Sequence, residues 1–141
     1  MTPTTSSVLV AESHHGVAEG LRGLLETAFD CVVIVADERS LTESAERLVP
    51  ALVVVDLPLG RGDIGGLIKR LRGRCPGVPV LVVSTHEEPS VAESTIRLGA
   101  NGFLIKRNIG SDLLPMVDAL LRGERPGAHV SGAAVVTGKV D

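Results

Sequence analysis

The 141-residue chain has no tryptophan, no tyrosine and only two phenylalanines, Phe29 and Phe103. With so few rings it offers no stacking platform for single-stranded nucleic acid. Basic residues do not prevail either: 14 Lys and Arg stand against 17 Asp and Glu, a formal net charge of -3. Such a balance does not grip a phosphate backbone by itself. Lys69, Arg70, Arg72 and Arg74 do cluster, and they are expected to form the solvated side of one helix. The two cysteines, Cys31 and Cys75, lie far apart and fit no C-x-x-C metal pattern. Cys31 opens an apolar run and is expected in the core, and no disulfide is expected. No run approaches the ~18 apolar residues of a membrane span. Residues 1–6 lack the apolar stretch of a secretory leader. The expectation is a cytoplasmic protein without a membrane partner. Nucleotide-binding signatures are missing too: residues 11–16 read Ala-Glu-Ser-His-His-Gly, neither G-x-G-x-x-G nor a P-loop. No G-x-S-x-G nucleophile elbow occurs, and no classical enzyme is expected.

What the chain does have is aliphatic content, within a total of 44% hydrophobic residues, enough for one domain with a sizeable core. Residues 51–55, Ala-Leu-Val-Val-Val, suit a strand buried on both faces of a parallel sheet. An ionised side chain cannot continue that strand cheaply, so Asp56 is placed at its carboxyl end. Three other apolar runs also end in polar groups. Residues 8–11 run into Glu12 and Ser13, 80–83 into Ser84 and Thr85, and 102–105 into Lys106. Between them stand helical periodicities: Val17, Leu21, Leu24, Leu25; Leu41, Ala45, Leu48; Leu67, Ile68, Leu71; Ala92, Ile96, Leu98; and Leu113, Leu114, Val117, Leu120, Leu121. With a second strand at 31–36 this makes five β/α units. The expected fold is a doubly wound, flavodoxin-like α/β sandwich. Its five-stranded parallel sheet takes the order 2-1-3-4-5 with helices on both faces. In such sheets ligands bind at the carboxyl edge, where Glu12, Asp56, Ser84 and Lys106 should meet. Local details are expected as well. Ser40 and Glu43 are spaced as a capping box, residues 60–66 form a glycine-rich loop, the last helix starts at Ser111, and His14 or His15 flanks the first helix.

The order of these features resembles the receiver domain of two-component response regulators over residues 7–122, with 123–141 left as a linker or C-terminal extension. Residues 8–14 are similar to the acidic strand-one motif, Asp56 to the phosphoacceptor, Ser84 to the hydroxyl and Lys106 to the lysine of that family. Phe103, three residues before the lysine, takes the aromatic switch position beside Ser84. Arg107 after the lysine and Gly123-Glu124-Arg125 after the last helix resemble the NarL/LuxR-type branch. The resemblance implies a phosphoryl group passed from a sensor histidine kinase to Asp56, and a switched interaction surface that controls transcription. It implies magnesium held by Glu12, Asp56 and the backbone carbonyl of Pro58. It is compatible with a homodimer, and it places DNA contact in an output domain that is not in this chain.

Two positions depart from the family pattern. Ser13 stands where a second acid is usual, and Gly60 stands where a proline is usual. Serine offers a neutral oxygen in place of a carboxylate, so magnesium is expected to bind more weakly. The alternative is a pseudo-receiver, a phosphorylation-independent interaction module.

Overall fold

A computed structural model describes residues 6–124. The sheet is β1 (Ser7–Ala11), β2 (Cys31–Val35), β3 (Leu52–Asp56), β4 (Val80–Ser84) and β5 (Gly102–Ile105). All four pairings are parallel, in the order β2-β1-β3-β4-β5, as the alternation of strand and helix patterns predicts. The helices are α1 (His15–Leu25), α2 (Glu38–Leu48), α3 (Ile64–Arg74), α4 (Pro89–Arg97) and α5 (Ile109–Leu121). Strands β1, β3, β4 and β5 are buried throughout, while every residue of the edge strand β2 is half-buried. Cys31 therefore lies on the sheet margin and not in the core; its thiol and that of buried Cys75 are both free.

Because side chains alternate across a strand, the sheet divides the interior in two. Leu9, Val53, Val55, Val82 and Phe103 pack with residues of α2, α3 and α4. Val8, Val10, Val54, Val83 and Leu104 pack with residues of α1 and α5. This parity positions the site. Asp56 follows Val54 on the α1/α5 side, whereas Ser84 follows Val82 on the α4 side, the side of Phe103.

Several local expectations are corrected. The cap of α2 is Asp37, whose carboxylate accepts from the Ser40 backbone N–H at 2.8 Å; Ser40 sits inside the helix and makes no capping box. The stretch 60–66 is mostly helical. A 3-10 turn covers Leu57–Gly60, and α3 begins at Ile64 with Asp63 capping Gly66 N. Helix α4 ends at Arg97, leaving Leu98 52% exposed. Helix α5 starts at Ile109, two residues early, so Pro115 lies in its interior. Its exposed position lets water meet the carbonyl that loses a partner. Arg72 leaves the solvated cluster and is half-buried, bonded across to the end of α4. Residues 125–141, most of the predicted extension, lie outside the described residues.

Val49, the residue after α2, has φ 47° and ψ 63° with its side chain 70% exposed. A β-branched residue pays steric strain in this left-handed region, and here no burial offsets it. Val49→Gly is expected to raise unfolding stability by about 1 kcal/mol, the relieved strain exceeding the added chain entropy. Urea denaturation checks this; an unchanged or lower midpoint would refute the strain.

Candidate functional site

The four polar residues predicted from the strand ends do meet at the carboxyl edge of the sheet. β3 sits between β1 and β4, with Ala11 beside Val55 and Asp56 beside Val83. β4 sits beside β5, with Ser84 opposite Ile105. Residues Glu12, Asp56, Ser84 and Lys106 therefore end neighbouring strands. Lys106 Nζ lies 2.8 Å from Asp56 Oδ1 and 3.4 Å from Glu12 Oε1. Glu12, Asp56 and Ser84 are all buried, and the Lys106 side chain is 15% exposed.

Two buried carboxylates share one ammonium, an arrangement with one negative charge in excess. Burial, and after it the Asp56 charge, push the Glu12 carboxyl above the ordinary glutamate value; the His14 backbone N–H and Lys106 oppose them. Glu12 Oε2 accepts from His14 N at 3.1 Å. Glu12 Oε1 and Asp56 Oδ1 are buried and accept no hydrogen bond of good geometry despite the nearby ammonium. Carboxylate oxygens left this way suit a cation, and of the two acids Asp56 borders the adjoining cleft, while Glu12 lies behind it. The Pro58 carbonyl accepts one bond, from Arg61 N at 3.0 Å, and keeps a second lone pair. Two acids and a carbonyl suit a magnesium ion that keeps several waters. Ser13 is exposed, and among the described residues no group of three or more His, Cys, Asp and Glu gathers around a metal position.

The site opens into a cleft of about 690 Å³ whose walls include Leu57, Pro58, Thr85, His86 and Val91 besides Asp56, Ser84 and Lys106. Ser84 Oγ accepts from the His86 backbone N–H at 2.9 Å, which leaves its own proton free to donate. Phe103 is 1% exposed, inside the α4-side core. His14 and His15 begin α1 as expected, but no side-chain capping bond forms. Sequence reading missed one ion pair beside the site. Arg107 Nη2 pairs with Glu87 Oε1 at 2.9 Å, joining the loops after β4 and β5. The signal for it is the β4–β5 register, which ends with Ser84 opposite Ile105, so the segments that follow leave the sheet side by side.

Residues 8–118 match the response regulator receiver domain family. The chain is 34% identical over 119 residues to the methanol utilization control regulatory protein MoxX of Paracoccus denitrificans, covering 82% of this chain and 53% of that protein. It is 30% identical over 122 residues to the transcriptional regulatory protein YdfI of Bacillus subtilis (strain 168), covering 84% of this chain and 56% of that one. It thus spans about half the length of these curated relatives. Among solved structures, a LuxR-family two-component response regulator from Aurantimonas sp. SI85-9A1 superimposes with a TM-score of 0.75 at 26% identity, over 86% of this chain and 89% of that one. Among the described residues no helix is long and apolar enough to cross a membrane. With the sheet order, the family match along most of its length and relatives that are regulatory proteins, this chain belongs to the response regulator receiver domain family.

Proposed function

We propose that the chain accepts a phosphoryl group on Asp56 from a phosphohistidine of a sensor kinase, and that this changes an interaction surface of a regulator of transcription. The observation that carries the reading is Asp56 itself: a buried carboxylate at a strand end, open to a cleft, with an ammonium 2.8 Å from one oxygen. Lys106 holds Oδ1 and leaves the other oxygen to attack phosphorus. An O–P bond forms while the P–N bond of the donor breaks, and the electron pair returns to the imidazole nitrogen. Lys106 stabilises the charge on the transferring group, and the Ser84 hydroxyl donates to one of its oxygens. Glu12, Asp56 and the Pro58 carbonyl are the groups that would hold magnesium, which supplies further positive charge against the phosphoryl oxygens. DNA contact in the whole protein would belong to an output domain outside this chain.

Phosphorylation has a natural route to α4. Ser84 and Phe103 share the α4 face of the sheet, and Ser84 starts the loop leading into that helix. A bond from the phosphoryl group to Ser84 draws that loop inward and shifts the balance between two packings of α4. The Phe103 ring, already buried, then serves as the surface against which α4 repacks.

The test is incubation of the chain with acetyl phosphate and magnesium, followed by intact mass and hydroxylamine lability. Wild type is expected to gain one labile phosphoryl group and Asp56→Asn none, a loss of more than about a hundredfold because the attacking group is gone. A second reading, the phosphorylation-independent interaction module, is favoured by exposed Ser13 and the missing third acid. It prevails if wild type takes no label over the full range of magnesium.

A further inference from the structure

The register of β4 and β5 brings together two charges outside the set already described. Ser84 lies opposite Ile105, so the loop that follows each strand leaves the sheet at the same level. Glu87 stands three residues past Ser84, and Arg107 two past Ile105. Their side chains close across the gap, Arg107 Nη2 to Glu87 Oε1 at 2.9 Å, and both remain largely exposed. His86, one residue before Glu87, and Lys106, one before Arg107, both line the cleft that opens over Asp56. Glu87 lines a neighbouring recess together with Thr85 and His86, which border both spaces. The next acid, Glu88, faces His86 at 3.6 Å. Neither residue lines the cleft itself, but each is the chain neighbour of one that does, so the pair stands just outside its opening.

We infer that Arg107 and Glu87 form a charge-balanced gate that sets how fast an anionic phosphodonor enters the site. This inference rests on the phosphoacceptor reading of Asp56. An exposed ion pair adds little to stability, so its effect is felt in the local potential. The buried trio Glu12, Asp56 and Lys106 already carries one excess negative charge. An unpaired Glu87 adds a second beside the entrance and repels the donor. Arg107 cancels it and is thus a positioning residue for Glu87. Potentials of this kind change association rates without altering the chemical step, and salt screens them over a Debye length of about 10 Å at moderate ionic strength.

Three variants of the full chain separate a charge gate from a structural clasp. The rate of labelling is measured with dianionic acetyl phosphate and with monoanionic phosphoramidate at low and high salt. Arg107→Gln is expected to slow acetyl phosphate labelling about threefold to tenfold at low salt, and Glu87→Gln to speed it. The double variant keeps the net charge and should return near the wild-type rate. Effects should be smaller for phosphoramidate and should fade at high salt, with the plateau rate at saturating donor unchanged. If both single variants slow labelling, or if the losses ignore donor charge and salt, the gate is wrong. A wild-type chain that takes no label defeats the phosphoacceptor reading separately. Inorganic phosphate titrated against the amide signals of Ser84 and Lys106 then decides the gate. Weaker binding by Arg107→Gln and tighter binding by Glu87→Gln supports it, and equal affinities overturn it.

Discussion

Arg72→Leu should lower the stability of this domain by about 3 kcal/mol, the largest loss expected from any single charged residue here. Arg72 lies on the flank of α3, one position past the inward-facing Leu71. Its guanidinium donates from Nη1 to Gly99 O at 2.7 Å, from Nε to Val78 O at 3.3 Å and from Nη2 to Asn101 Oδ1. The same Asn101 oxygen accepts from Val80 N at 2.8 Å, and Asn101 N donates to Val80 O at 2.8 Å. One planar group thus joins the end of α3, the start of β4 and the connection from α4 to β5. Burial lowers the Arg72 guanidinium below its usual value, yet an arginine remains charged in a protein. Leucine keeps most of the packing volume and removes the donors, so half-buried carbonyls lose charged partners at about 1.5–3 kcal/mol each, partly recovered by water. Gly99, at φ +124°, brings its carbonyl to the fork in a conformation that other residues rarely adopt. Arg72→Lys should recover less than half of the loss, because an ammonium on a flexible stem cannot span the three acceptors at once. Urea denaturation of the three proteins reads this directly. A change of under ~0.5 kcal/mol in Arg72→Leu would show that the fork is an ordinary surface contact.

The contrast between Arg72 and Asp56 shows what pattern reading reaches. Asp56 is legible because a charge ends a strand that is buried on both faces; desolvation cost alone places it at the edge. The same logic places Glu12, Ser84 and Lys106, and the parallel alternation of units then makes them neighbours. Arg72 is opaque because a helix position beside the apolar stripe can face water or a neighbouring carbonyl. Only the three-dimensional position of Gly99 and Asn101 decides between them. The capping of α2 went to Asp37 for a related reason: three consecutive polar residues, Asp37, Glu38 and Arg39, precede Ser40, and any of several oxygens could cap. Leu98 fits the helical period yet ends up exposed, since α4 stops at Arg97 and the period no longer applies. At the site, residue types and strand ends were legible. The sharing of one ammonium by two acids was not, because it depends on how far Lys106 and the longer arm of Glu12 reach.

That shared ammonium leads to the second large effect, Glu12→Gln. The Glu12 side chain is fully buried and lies with Asp56 around Lys106. Its carboxyl is held above the ordinary value of 4.5, first by burial and then by Asp56. The native state therefore binds this proton more tightly than the unfolded chain does. As pH falls through the raised native value toward 4.5, Glu12 accepts a proton in the folded protein while it stays ionised in the unfolded one, and stability rises. Above that window its destabilising contribution is present in full; below 4.5 both states are protonated and nothing more is gained. Glutamine keeps the shape and the oxygen that meets His14 N, and removes the charge. Glu12→Gln should then raise stability at neutral pH relative to wild type, and flatten its pH profile across this window. The same change removes one of the carboxylates proposed to hold magnesium. Magnesium should raise the melting temperature of wild type, since binding to the native state alone stabilises it, and raise that of Glu12→Gln distinctly less. A variant more stable at neutral pH but less responsive to magnesium identifies Glu12 as an acid held under repulsion for the sake of a cation. If stability and magnesium response both stay at wild-type levels, Lys106 already satisfies Glu12, and the buried pair does not act as a cation site.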